Sequence, residues 1–205
     1  GLENYLAAVK LNTEIIKQLP DHAASKHDLA NAYINLGRFQ HKTGKMAQGL
    51  ASIQKALDLL TELHQQNPLV IDYKELLARC RYILAEFSAD QGNYQAGIRE
   101  TQAALEIFQS LVDEDPLVTV YHDDVARCHN NLGVYQYLLG QHAAALANYQ
   151  DAVRIREKLI RDNPTVVSYQ SDLVRNLGSL AGLLKILGDS QGAIVYYEKA
   201  TSILD

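Results

Sequence analysis

The stretch PLVTVYHDDVARCHNNLGVYQYLLGQHAAALANYQDAVRIREKLIRDN, residues 116–163, holds two amphipathic helices and the punctuation between them. Tyr121, Val125, Cys128, Leu132, Tyr135 and Leu139 are spaced 4, 3, 4, 3 and 4 residues apart, which is one face of an α-helix. Gly140 follows, where glycine can take the left-handed conformation that ends a helix. Leu146, Tyr149, Ala152, Ile155 and Leu159 then resume helical spacing. The first helix should run about 20 residues from proline to glycine, roughly 30 Å, and the second should be somewhat shorter. Asn163-Pro164 reads as the start of the next helix, the Asn accepting backbone N–H groups and the Pro holding a helical φ.

The same pattern recurs outward in both directions. Gly44, Gly92, Gly140 and Gly188 lie 48 residues apart, as do Ala56, Ala104, Ala152 and Ala200, and as do the prolines at 20, 68, 116 and 164. Asn67-Pro68 and Asp115-Pro116 repeat the junction, and Pro20-Asp21 shifts it by one. A fixed period of this length means one supersecondary unit stacked on copies of itself. Turns this short force antiparallel neighbours, and no segment alternates like a strand, so the expected fold is all-α, an α-solenoid of antiparallel helix pairs. Small residues recur inside the helices: Gly37, Ala85, Gly133 and Ala181 in the first, Gly49, Gly97, Ala145 and Ala193 in the second. A helix-interior glycine costs about 1 kcal/mol against alanine, so these positions are expected at close helix crossings.

Residues 1–20 align with 49–68, which gives a leading second helix over 1–20. Repeats follow at 21–68, 69–116 and 117–164, then a shortened one at 165–205, all read as one continuous solenoid. Such arrays finish on a polar capping helix. None is apparent, so the chain reads as a section of a longer protein whose uncapped ends invite self-association.

Composition narrows the partner more by exclusion. A net charge of −5 speaks against nucleic acid, which needs a basic stripe. No apolar run approaches the ~18–20 residues of a membrane span, and no membrane insertion is expected. Cys80 and Cys128 sit at equivalent points of stacked helices, roughly 8–10 Å apart and beyond disulfide reach. They read as reduced, buried apolar residues in a cytoplasmic setting. No phosphate loop, nucleophile elbow or zinc motif is present, so neither an enzyme nor a cofactor is expected. His122-Asp123-Asp124 with His129 lacks a metal spacing and reads as surface capping and ion pairing.

Leu132-Gly133, Gly140, Ala145, Tyr149 and Ala152 are spaced as in the tetratricopeptide repeat, which the chain resembles over essentially its whole length. That unit is usually about 34 residues. Here it is 48, longer by near four helical turns. The aromatic that usually precedes the Leu-Gly pair by three residues appears only as Tyr33, with Arg81, His129 and Leu177 elsewhere. Residues 152–159 resemble kinesin-light-chain repeats. Asn163-Pro164-Thr165-Val166 and Asn130-Asn131-Leu132-Gly133 resemble the arrays trailing large bacterial serine/threonine protein kinases. The resemblance implies a right-handed superhelix that binds a protein or peptide in a groove lined by the first helices, in a bacterial signalling or scaffold protein. Two other readings stay open: a regulatory module acting on its own polypeptide, and a small-molecule sensor with a pocket in the superhelix.

On those helices Arg79, Arg127 and Arg175 recur at one register, with Arg38 and Lys185 on the same side. A guanidinium ladder matches carboxylates, so the expected ligand is acidic or carboxyl-terminal. The competing structural reading pairs Arg127 with Asp124 and Arg175 with Asp172, three residues earlier. Tyr73, Tyr121 and Tyr169 are expected to pack against the preceding second helix. Tyr82 and Tyr137 lie off the apolar stripe and are expected to be exposed contacts, with Asn130 a further groove candidate.

Overall fold

The computed structural model describes residues 2–203. Gly1, which heads the expected leading helix, and Leu204 and Asp205, which end the expected last repeat, lie outside the described residues. Among the described residues the chain is all-α, with nine helices and no strand. It separates into two compact units, one ending at Gly92 and the other beginning at Asn93.

The first unit contains α1 (Leu2–Gln18), α2 (Ala23–Lys42), α3 (Met46–Gln66) and α4 (Ile71–Asp90). Each helix packs on the next, and α2 also touches α4. The second contains α5 (Tyr94–Glu114), α6 (Thr119–Leu138), α7 (His142–Asp162), α8 (Val167–Ile186) and α9 (Ser190–Thr201). Again successive helices pack, and α6 also touches α8. The first helices of the repeats are therefore α2, α4, α6 and α8. Among the described residues no helix is long and apolar enough to cross a membrane.

The glycine turns form as the spacing predicts. Gly44, Gly92, Gly140 and Gly188 have φ of +76°, +76°, +73° and +87°. At Gly140 the helix closes as a Schellman motif: Gly140 N–H donates to Tyr137 O at 2.9 Å and Gln141 N–H to Gln136 O at 2.8 Å.

The proline junctions differ from expectation. Asn67, Asp115 and Asn163 do not start helices; each is the C-cap of a second helix, its N–H donating to Leu63, Leu111 or Leu159. A residue before proline is pushed out of the α region, and Asn67 accordingly sits at φ −138°, ψ 70°. The proline then begins a turn, and the next helix starts three residues later behind Val70, Val118 or Val166 in extended backbone. This also reverses the expected lengths. The complete second helices have 21 residues against 20 in the first helices, because they run up to the residue before proline.

Packing is tightest at the small residues. A Cβ on Gly37 would lie 2.8 Å from Ile53 Cδ1 and 3.0 Å from Gly49 O; one on Gly49 would lie 2.9 Å from Gly37 O. A Cβ on Gly133 would meet the Tyr149 ring at 2.6 Å. Gly97 is buried on α5, and Ala56, Ala104, Ala152 and Ala200 are buried in the core. Around them lie Ile53, Leu60 and Leu63 in the first unit and Leu177, Leu180 and Leu183 in the second, all nearly inaccessible. Cys80 and Cys128 are buried thiols outside any disulfide, and the Cys80 thiol donates to Ile53 O at 3.4 Å.

Candidate functional site

Each ladder arginine is held by a carboxylate about one turn earlier on its own helix. Arg79 meets Glu75 at 2.9 Å on α4, Arg127 meets Asp124 at 3.0 Å on α6, and Arg175 meets Asp172 at 3.0 Å on α8. The guanidinium-bearing side chains stay open to solvent nonetheless, 43%, 44% and 71% exposed in that order. In the second unit Arg127 and Arg175 stand on first helices that touch. Arg38 on α2 and Lys185 on α8 are exposed.

Two of the tyrosines, Tyr82 and Tyr137, depart from expectation. Tyr82 is buried, not an exposed contact, because α4 has neighbours in both α2 and α3 and buries residues well beyond one stripe. Tyr137 is half-buried, packed against the core cluster of the second unit, with its ring 5.8 Å from His142. Tyr121 and Tyr169 are buried and Tyr73 partly so. The Tyr169 hydroxyl reaches Thr119 Oγ1 at 3.4 Å, and the Tyr73 ring lies tilted against His27 with centroids 5.7 Å apart. Both partners belong to the previous first helix. Asn130 accepts from the buried Asn176 amide at 2.6 Å, tying α6 to α8.

Tyr149, on α7, is 4% exposed, and its hydroxyl is pushed up to about 12 by burial and by Tyr137 beside it. A folded-state value above the ordinary 10.0 favours the neutral form. The stability this provides is therefore complete below pH 10 and is lost as pH rises toward 12. Ultraviolet difference titration of the protein against Tyr149→Phe should show one tyrosinate appearing above the ordinary range. A curve with no such late component contradicts the assignment.

A buried charge cluster escaped sequence reading. Arg156 on α7 is 2% exposed and bridges Asp123 of α6 at 2.8 Å and Asp172 of α8 at 2.9 Å. Burial lifts the Asp123 carboxyl above its ordinary pKa, with Arg156 opposing and Asp172 adding to the rise. So Asp123 is a half-buried rather than a fully solvated carboxylate, and Asp124 is buried. The signal lay in the register: 48 and 96 residues before Arg156 stand Phe108 and Leu60, so a cation occupies an apolar core position. The buried edge of α7 accordingly falls on Arg156, while Ile155 is only half-buried.

The histidines flanking Asp123 do not converge. His122 Nε2 lies 3.0 Å from Pro116 O, and His129 Nδ1 lies 2.8 Å from Asn148 Oδ1 on α7. Among the described residues no group of His, Cys, Asp and Glu is arranged to hold a metal ion.

Antiparallel helix pairs at a fixed period, closed by glycine turns and joined by proline turns, define a helical-repeat protein. The sequence pattern of the tetratricopeptide repeat matches residues 81–158, and a second form of it matches 30–59 and 174–203. The chain belongs to the tetratricopeptide repeat family. No curated protein sequence matches it significantly.

Solved structures share the fold. MamA is 18% identical with a TM-score of 0.60, covering 98% of this chain and 89% of its own. The apo form of RapI is 18% identical with a TM-score of 0.72, and this chain, covered over 98%, spans 49% of it. Kinesin-light-chain TPR-like repeats from Podosopora anserina are 17% identical with a TM-score of 0.57, covering 99% of this chain and 89% of theirs. At such identities the likeness concerns the fold.

Proposed function

We propose that this chain is a protein-interaction scaffold whose first helices present the residues that hold a partner protein or peptide. The observation that carries the reading is the pair Arg127 and Arg175, exposed on the touching helices α6 and α8. Their internal ion pairs do not disqualify them. The Arg175–Asp172 pair, on a guanidinium 71% exposed, is worth only about 0–1 kcal/mol, so an incoming carboxylate that takes both guanidinium donors competes readily there. The partner segment is therefore acidic or a carboxyl terminus.

Reversing the charge of Arg79, Arg127 and Arg175 should abolish capture of the partner from lysate, read by mass spectrometry, while circular dichroism shows unchanged helicity. Arg→Gln versions serve as the milder control where the reversed residue would face buried Asp124. Capture that persists with all three charges reversed refutes this reading.

A further inference from the structure

Two glycines on α8 lack the packing reason that the others have. Gly37, Gly49 and Gly133 sit where a Cβ would strike a neighbouring helix at 3.0 Å or less. A Cβ on Gly178 would meet nothing within 4 Å, and one on Gly182 only the Tyr197 hydroxyl at 3.9 Å. Alanine would fit at both, and each glycine costs the helix about 1 kcal/mol. What the two glycines do is open a cavity of about 240 Å³, bounded by Tyr137, Tyr149, Leu183 and Ile186.

The cavity also offers a hydrogen-bond donor. Tyr149 is 4% exposed and lines this cavity, and its hydroxyl oxygen, which is not one of the buried polar atoms left without a partner, is open to solvent there. That hydroxyl is neutral at physiological pH, as an ordinary tyrosine's is, and can donate to an acceptor that enters the cavity.

The charges around the cavity select the ligand. Arg175, Gly178, Gly182 and Lys185 are spaced 3, 4 and 3 residues apart, one face of the helix. The two exposed cations thus bracket the cavity, about 15 Å apart at 1.5 Å per residue. An extended peptide covers that span in roughly four or five residues at about 3.3 Å each. The cavity is smaller than the ~300–1,000 Å³ typical of small-molecule sites and matches one side chain with its adjoining backbone.

We infer that this cavity receives one apolar side chain of an extended partner peptide. Tyr149 donates to a peptide carbonyl, and carboxylates two or three residues to either side meet Arg175 and Lys185. This rests on the peptide-binding reading and sharpens it to a motif: an acidic residue, a short spacer, an aliphatic or aromatic anchor, a short spacer, and a second acidic residue.

The test is selection of a displayed random-dodecapeptide library on the whole chain, followed by anisotropy titration of the enriched peptides. They should carry the acidic-apolar-acidic pattern and lose at least tenfold in affinity to Gly178→Leu and to Gly182→Leu. Gly178→Ala should weaken binding yet raise Tm by about 2–4 °C, the shift expected when roughly 1 kcal/mol is gained in a chain of this size. A lowered Tm for Gly178→Ala makes the glycine a packing residue and overturns the inference. Enriched peptides that ignore Gly178→Leu but fail on Arg175→Glu remove the cavity and leave the groove standing. Peptides indifferent to both variants, or no enrichment at all, remove both. A small molecule found in the cavity by native mass spectrometry also overturns the peptide assignment.

Discussion

Arg156→Ala is expected to destabilise the second unit by about 3–5 kcal/mol, the cost of removing one partner from a buried charge pair. The substitution leaves Asp123 and Asp172 facing each other across the space the guanidinium filled. Asp123 is already burdened by desolvation, as its raised pKa shows. The cluster should not, however, be a net source of stability. Replacing a buried ion pair with packed apolar groups is often neutral or gains about 1–4 kcal/mol, and Phe108 and Leu60 show that this register accepts them. Arg156→Leu combined with Asp123→Asn and Asp172→Asn should therefore recover most of what the alanine variant loses. Denaturant melts followed by circular dichroism decide the matter. A loss below about 1 kcal/mol for Arg156→Ala, the worth of a surface pair, would show that the carboxylates are satisfied by water instead.

Gly133→Ala is the second large effect, and its sign opposes helix propensity. On propensity alone alanine should gain about 1 kcal/mol. The added methyl would sit 2.6 Å from two ring atoms of Tyr149, which is itself buried in the core cluster. Overpacking of this kind costs about 1–3 kcal/mol, and Gly133→Leu should cost at least as much. Tyr149→Leu made together with Gly133→Ala should return part of the loss, because the smaller side chain frees the crossing. A double-mutant cycle measures that coupling. Additive losses would mean that the ring is not what the glycine accommodates.

Much of the fold was legible because its determinants are local. Helical spacing and the left-handed glycines specify helix, turn and helix, and those rules depend on few residues around each position. The junctions misread for the same reason. Asn-Pro suits a helix start as a dipeptide, but proline also restrains the residue before it, and here that restraint ends the previous helix. Burial of Tyr82 and Asp123 depends on which helices lie across from them, which no single helix encodes. The arginine ladder was legible as a register, and its pairing with Asp124 and Asp172 could be anticipated from i,i+3 spacing. The cavity beside α8 was not. Glycine inside a helix looks alike in sequence whether a neighbour fills its space, as at Gly133, or nothing does, as at Gly178.

The Arg156 cluster also limits how this array can evolve by copying. Equal repeats stacked in a line are in principle exchangeable, since each meets only its neighbours. Here α7 places a cation whose counter-charges come from α6 before it and α8 after it. A copy of residues 69–116 inserted after α7 would bring Leu76 to the register of Asp172 and cost the cation one carboxylate, whereas copies of 21–68 or 117–164 would bring Asp28 or Asp124 there. The chain is periodic in its geometry, but at this junction charge restricts which repeat can follow.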